Sequence, residues 1–221
     1  MKKSFIQELK ERLATSKKIV ILPHRNADGD ALGSTLALKH FLKQKKHQVK
    51  VVSPNDYPSF LKWLPGENDV LKYNQTPKLA RDSIREADLI FTLDFNALSR
   101  IEDLTNIVRS ASGEKIMIDH HEDPEDYAKL NYSDHSMSST CEMIYNVIKA
   151  LDEQFREIAR ETEDLLSCKK ASLYLFDQYN KSKVLSSVMF TRIDDAQSRW
   201  VDMEEENMPG KSLQTKFAQF Q

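Results

Sequence analysis

Three short clusters of side chains in this sequence are equipped for metal chemistry: His24, Asn26, Asp28 and Asp30 in the first, Asp94 in the second, and Asp119-His120-His121 in the third. His24, Asp28, Asp30, Asp94 and His120 together offer three carboxylates and two imidazoles. A carboxylate can bridge two cations, so this set suits a pair of divalent ions about 3.5 to 4 Å apart that activate a water and stabilise a displacement at phosphorus. Mixed oxygen and imidazole ligation favours manganese, or cobalt or iron, over magnesium, which prefers oxygen and keeps its waters. Side chains alternate between the faces of a strand, so His120 and His121 are not expected to ligate one ion in the same way. One is read as a ligand and the other as a phosphate contact or general acid. Each cluster alone also has a plainer explanation. Asn26, Asp28 and Gly29 are ordinary turn residues, Asp30 and Asp94 suit helix caps, and a histidine pair can be one core and one exposed side chain.

The elements that must position these clusters follow from the apolar pattern. Phe5, Ile6, Leu9 and Leu13 recur at helical spacing, and Ile19-Val20-Ile21-Leu22 reads as a buried strand that ends on the first cluster. Leu32, Leu36, Phe41 and Leu42 predict a helix, and Val49-Lys50-Val51-Val52 a second strand, which closes a parallel strand–helix–strand unit. Residues 54–66 read as a loop with an aromatic knot of Tyr57, Phe60 and Trp63. A helix over 78–87 precedes a strand over 88–94 that ends on Asp94. Another helix carries Ile101, Leu104, Ile107 and Val108, and the strand 115–118 leads into Asp119-His120-His121. Ser138-Ser139-Thr140-Cys141-Glu142 opens a further helix with Ser or Thr at its cap. The fold class is therefore α/β, a parallel sheet flanked by helices. In such a sheet the carboxyl ends of the strands share one edge, so the three clusters converge there.

After residue 151 the character changes. Phe155, Ile158, Thr162, Leu165 and Leu166 predict a charged amphipathic helix running to Tyr179, residues 184–193 one strand-like run, and the rest a solvated tail. The expected division is a domain over 1–150 and a mainly helical C-terminal segment over 151–221. All six histidines precede residue 136, which concentrates the chemistry in the first part. A net charge of −2 argues against long duplex nucleic acid as a partner. No run approaches the roughly 18 apolar residues of a membrane span. Two cysteines give no disulfide framework, so the expected compartment is the cytoplasm. Five glycines are few, and Gly29 falls inside the first cluster and Gly33 just after it, where the backbone is expected to turn tightly.

The run His24-x-Asn26-x-Asp28-Gly29-Asp30-Ala31-Leu32-Gly33-Ser34, then Asp94, then Asp119-His120-His121, then Ser138-Ser139-Thr140-x-Glu142 resembles the first three motifs and a following Ser/Thr signature of the DHH phosphoesterases. The resemblance covers roughly residues 5–150. Its wording is similar to that of bacterial oligoribonucleases that degrade very short RNAs and dephosphorylate 3′-phosphoadenosine 5′-phosphate. It implies a Rossmann-like sheet and two Mn2+ ions, with Mg2+ or Co2+ as substitutes. His24 and Asp28 would hold one ion, Asp30 and His120 the other, with Asp94 bridging. Asp119 would orient its neighbours, and His121 would assist catalysis beside Asp94. Asn26, His121, Ser138 and Ser139 would be the substrate contacts, the helix opening at Ser138 offering N–H groups to an anion, although a plain helix cap accounts for Ser138 and Ser139 equally well. The implied partners are short oligoribonucleotides or small nucleotides, with no membrane, and a homodimer is among the assemblies it allows.

Two features depart from the family pattern. Its fourth motif, an Asp in an Asp-Thr-Gly context, has no counterpart here; Asp195 is the substitute ligand, with Asp194 and Asp177 as others. The Gly-rich, histidine-bearing clamp of a usual C-terminal domain is also missing from these residues, which contain no consecutive glycines and no histidine after His135. Two other readings follow: an impaired DHH domain serving as a metal- or nucleotide-binding or interaction module, and an inorganic pyrophosphatase-like activity, since family II pyrophosphatases share the metal frame.

Overall fold

The computed structural model describes residues 3–152, 171–179 and 182–190. Six strands, β1 (Lys18–Pro23), β2 (Gln48–Ser53), β3 (Val70–Lys72), β4 (Leu89–Leu93), β5 (Glu114–Asp119) and β6 (Leu130–Ser133), form one sheet in the order β3-β2-β1-β4-β5-β6. Every pairing is parallel. Parallel strands covered on both faces read as unbroken apolar runs, which is why β1, β4 and β5 stand out in the sequence.

Alternation along β1 divides the core in two. Ile19 and Ile21 pack with Phe5 and Leu9 of α1 (Lys3–Arg12), Leu32 and Leu36 of α2 (Gly29–Gln44), and Ile144 and Val147 of α5 (Thr140–Leu151). Val20 and Leu22 pack on the other face with Ala80 and Ile84 of α3 (Pro77–Arg85) and Val108 of α4 (Thr105–Ser110). Each such Val, Leu, Ile or Phe side chain, fully buried, contributes roughly 1.5–3 kcal/mol, so both layers together hold the sheet between its helices. Helix α2 is buried around almost its whole circumference, including Lys39, whose Nζ donates to the Gly66 carbonyl at 2.7 Å.

Several local expectations are corrected. The aromatic knot does not form: Tyr57 is buried, but Phe60 and Trp63 remain 63% and 44% exposed, because Tyr57, Leu61 and Leu64 are the side chains of that segment that turn toward the core. The single helix expected through Ile101 and Val108 is a 3-10 turn over Leu98–Leu104 followed by α4, broken where Glu102 takes φ 42°. Strands β3 and β6, at the two edges of the sheet, were not anticipated; three and four residues are too few to show a period. The helix expected to reach Tyr179 gives way to β7 (Ala171–Tyr179), which pairs antiparallel with β8 (Ser182–Phe190). Runs such as Leu173-Tyr174-Leu175-Phe176 and Val184 to Phe190 are aromatic and β-branched enough to favour strand over helix. Phe155 through Leu166 lie outside the described residues.

Candidate metal centre

The strand order reverses between β1 and β4, the place where parallel α/β sheets bind ligands at their carboxyl edge. His24 follows β1, Asp94 follows β4, and Asp119, the last residue of β5, leads into His120 and His121. The N-termini of α2 and α5 close over the same edge. Asp94 forms the floor of the cluster at 2% exposure, while Asp28 and His121 stand at its rim. Its backbone lies in the left-handed region, φ 66°, a costly conformation for a non-glycine residue that is characteristic of functional sites.

The carboxylate of Asp94 faces two histidines. Its Oδ2 lies 3.6 Å from His24 Nε2 and its Oδ1 3.5 Å from His120 Nε2. Asp28 Oδ1 is 3.9 Å from His24 Nε2, and Asp30 Oδ2 is 3.7 Å from His120 Nε2. Ligand atoms of His24, Asp28 and Asp94 all lie within 4.8 Å of one another, as do those of Asp94, His120 and His121. Asp94 belongs to both groups. These separations are long for hydrogen bonds and suit donor atoms that share a cation, since two ligands each about 2.1 Å from an ion stand about 3 to 3.5 Å apart.

The histidines are prepared for ligation by what they do at the other ring nitrogen. His24 Nδ1 lies 2.7 Å from the Arg25 carbonyl, and His120 Nδ1 3.3 Å from the Met137 carbonyl. A carbonyl only accepts, so each Nδ1 carries the proton and each Nε2 presents a lone pair. His121 Nδ1 is 2.7 Å from Asp119 Oδ1, and its backbone N–H donates to Asp119 Oδ2 at 3.1 Å. Asp119, fully buried, thus holds the His121 ring and backbone in place.

Helix α5 supports the carboxylates. Asp30 accepts from the backbone N–H of Thr140 at 2.8 Å and of Cys141 at 2.7 Å, and the Thr140 hydroxyl donates to Asp94 Oδ1 at 2.8 Å. Burial and the negative charge of Asp94 nevertheless push the Asp30 carboxyl up to about 6, against the opposing helix bonds. Burial would also raise Asp94, but the facing imidazoles of His24 and His120 and the Thr140 hydrogen bond outweigh it and hold Asp94 below the usual carboxylate range. Burial would lower His24, yet in the metal-free chain the carboxylate of Asp94 facing Nε2, with the Arg25 carbonyl at Nδ1 and the charge of Asp28, places it above its ordinary value, and a cation at Nε2 would take the place of that proton. A dense cluster of buried carboxylates whose charge is only partly balanced is the donor set a divalent cation requires.

Other expected site residues fall differently. Asp28, rather than Asp30, caps α2, its side chain accepting from Asp30 and Ala31 N–H groups at 3.0 Å. The tight turn belongs to Asn26, φ 55°, and not to Gly29 or Gly33, which lie inside α2. Because β5 ends at Asp119, strand alternation does not apply to His120 and His121, whose rings stand 4.7 Å apart on the same side; they differ instead in partners, His120 Nε2 facing Asp94 and His121 Nδ1 facing Asp119. Ser139 caps α5 by accepting from Glu142 N–H, and Ser138 Oγ donates to Glu142. The N–H groups of Thr140 and Cys141 at this helix end are directed to Asp30. Asp194 and Asp195 lie outside the described residues, and Asp177 lies in β7. Sequence reasoning gave no role to Thr140, although it sits inside the quoted Ser/Thr signature, or to Asn55, which the sequence hides in a Pro- and Asn-rich loop.

A family model described as the DHH family, N-terminal domain, matches residues 18–171. The chain belongs to the DHH family. Among relatives of this DHH chain is the probable bifunctional oligoribonuclease and PAP phosphatase NrnA of Streptococcus mutans. The two are 34% identical over 146 residues, covering 62% of this chain and 42% of the relative. The cyclic-di-AMP phosphodiesterase PdeA of Listeria monocytogenes is 26% identical over 146 residues, covering 62% of this chain and 22% of that protein. A crystal structure of an exopolyphosphatase-related protein from Bacteroides fragilis superimposes with a TM-score of 0.67 at 43% identity, over 68% of this chain and 44% of that one. The chain thus spans less than half the length of these relatives.

Proposed function

We propose that this DHH chain carries the metal-binding catalytic part of a phosphoesterase that hydrolyses short oligoribonucleotides or 3′-phosphoadenosine 5′-phosphate. The observation that carries the reading is the shared Asp94, whose two carboxylate oxygens face two separate histidines and join two donor groups into one centre. His24 and Asp28 would hold one divalent ion, and Asp30 with His120 the other. Manganese suits this mixture of imidazole and carboxylate. Such ions, when bound, supply a low-pKa water and polarise the phosphoryl oxygens.

The chain's own residues do the rest. Asp119 fixes the His121 ring at the rim of the site, where its imidazole can hold a phosphate oxygen or give a proton to the leaving oxygen. Asp94 and Asp30, kept in place by the start of α5, hold the donor geometry without rearrangement during turnover. The names of the Streptococcus mutans and Listeria monocytogenes relatives support phosphoester chemistry on RNA fragments and nucleotides.

Calorimetric titration with Mn2+ and hydrolysis of a diadenylate, of 3′-phosphoadenosine 5′-phosphate and of pyrophosphate test the proposal. Uptake of two ions with Mn2+-stimulated release of mononucleotide or of phosphate from the bisphosphate is the expected result. Absence of metal uptake and turnover, or turnover of pyrophosphate alone, overturns it.

A further inference from the structure

We propose that Asn55, a residue that touches none of the candidate metal ligands, is a positioning residue for the His24 and Asp28 half of the centre. The inference rests on the metal-dependent reading above and extends it to a loop outside the motifs.

His24 and Asp28 sit on the segment between β1 and α2, and Asn26 lies midway between them with φ 55°. Asparagine enters the left-handed region more readily than other non-glycine residues, and neighbouring contacts hold it there in preference to its other conformations. Asn55 supplies a two-pronged contact. Its Oδ1 accepts from the Asn26 backbone N–H at 2.8 Å, and its Nδ2 donates to Asn26 Oδ1, also at 2.8 Å. The backbone N–H needs an acceptor, which fixes the orientation of the Asn55 amide and makes the paired bond unambiguous.

Asn55 is itself tied down. Its Nδ2 also donates to the Asp56 carbonyl at 2.9 Å, and its own carbonyl accepts from Ser53 Oγ at 2.7 Å. Ser53 is the fully buried last residue of β2, which is in register with β1. The path therefore runs from the rigid sheet through Ser53 and Asn55 to Asn26. On the far side of the loop the Arg25 N–H donates to the Arg100 carbonyl at 2.9 Å. Two consecutive backbone N–H groups between His24 and Asp28 are thus pinned to opposite walls. Groups bonded directly to metal ligands are worth roughly 10 to 100-fold in metal affinity, and Asn55 acts on the ligand-bearing loop one bond further out. The same bonds tie the exposed Asn26 side chain to Asn55, which gives this expected substrate contact a scaffold role as well.

The test uses the full chain, with Mn2+ affinity measured by calorimetry and the metal-free melting temperature measured alongside. Asn55→Ala is expected to weaken one of the two Mn2+ sites by about 10-fold, the lower end of the range for direct partners of ligands. Asn55→Asp is expected to recover most of that affinity, since a carboxylate still accepts from the Asn26 N–H and a flipped Asn26 amide can donate to its second oxygen. Unchanged Mn2+ affinity in Asn55→Ala overturns the inference. So does an equal loss in both variants that follows the fall in metal-free melting temperature, because that marks general destabilisation. If the wild-type chain binds Mn2+ with this dependence on Asn55 but cleaves no phosphoester, the functional proposal fails and the positioning role stands. If the wild-type chain binds no Mn2+, both fail.

Discussion

Asp94→Ala would remove the carboxylate whose oxygens face His24 on one side and His120 on the other. Loss of a single-site ligand leaves its neighbour site intact, whereas loss of a shared one affects both. The variant is therefore expected to abolish hydrolysis and to lose both Mn2+ transitions in calorimetry; one surviving full-affinity site would contradict the shared role. Thr140 acts one contact further out. Thr140→Val keeps the shape but removes the hydroxyl that donates to Asp94 Oδ1 in a buried setting. A buried hydrogen bond to a charged group is worth roughly 1.5–3 kcal/mol, and a loss of stability of that order is expected in chemical denaturation of the metal-free chain. A neutral result would show that Asp94 finds another donor. Asp94, His120 and Asp119 were legible in the sequence because their residue types carry the chemistry at the ends of obvious strands. Thr140 and Asn55 were not, because a hydroxyl or amide acquires its role only from a partner dozens of residues away.

Among the elements, the fully buried strands were the easiest to foresee. β1, β4 and β5 are unbroken apolar runs, so both their existence and the side chains at their ends could be placed. The edge strands β3 and β6 are too short to show a period, and the segment of β7 was assigned to a helix because a few apolar residues fit either repeat. The start of the sheet also has a pH-sensitive joint. The Lys17 N–H donates to His47 Nδ1 at 3.2 Å, linking the residue before β1 to the residue before β2. That bond needs an unprotonated Nδ1. Burial, and then the charge of Lys17, hold His47 below its ordinary value. The unfolded chain therefore binds the proton more readily in the window just under about pH 6.5, and His47's contribution, complete above that pH, is lost as pH falls toward the depressed folded value. Melting temperature should drop between about pH 7.5 and about pH 5.5, and drop less in His47→Asn, whose Oδ1 accepts without titrating. An equal drop in both would remove His47 from the account.

At the scale of the whole molecule the centre straddles two halves of the sheet. His24, Asp28 and Asp30 come from the β3-β2-β1 side, and Asp94 and His120 from the β4-β5-β6 side. A cation held by both sides binds the native state and not the unfolded chain. Adding Mn2+ at about 100 times its dissociation constant should stabilise the protein by about 2.7 kcal/mol per independent site, and chelation should reverse the gain. A melting temperature indifferent to Mn2+ and to chelator would contradict an intact centre.

The pairing of Pro23 with Leu93 beneath that centre also sets when the molecule becomes competent. The intervening chain must complete its excursion through β2, β3 and α3 before β4 can dock on β1. Contacts so distant along the chain form slowly, because their loop must close before they gain anything. During synthesis, His24, Asp28 and Asp30 leave the ribosome well ahead of Asp94 and His120. A partly made chain would hold one half of the ligand set and no bridge, so hydrolytic capacity would arrive in a single late step, after β5 has emerged.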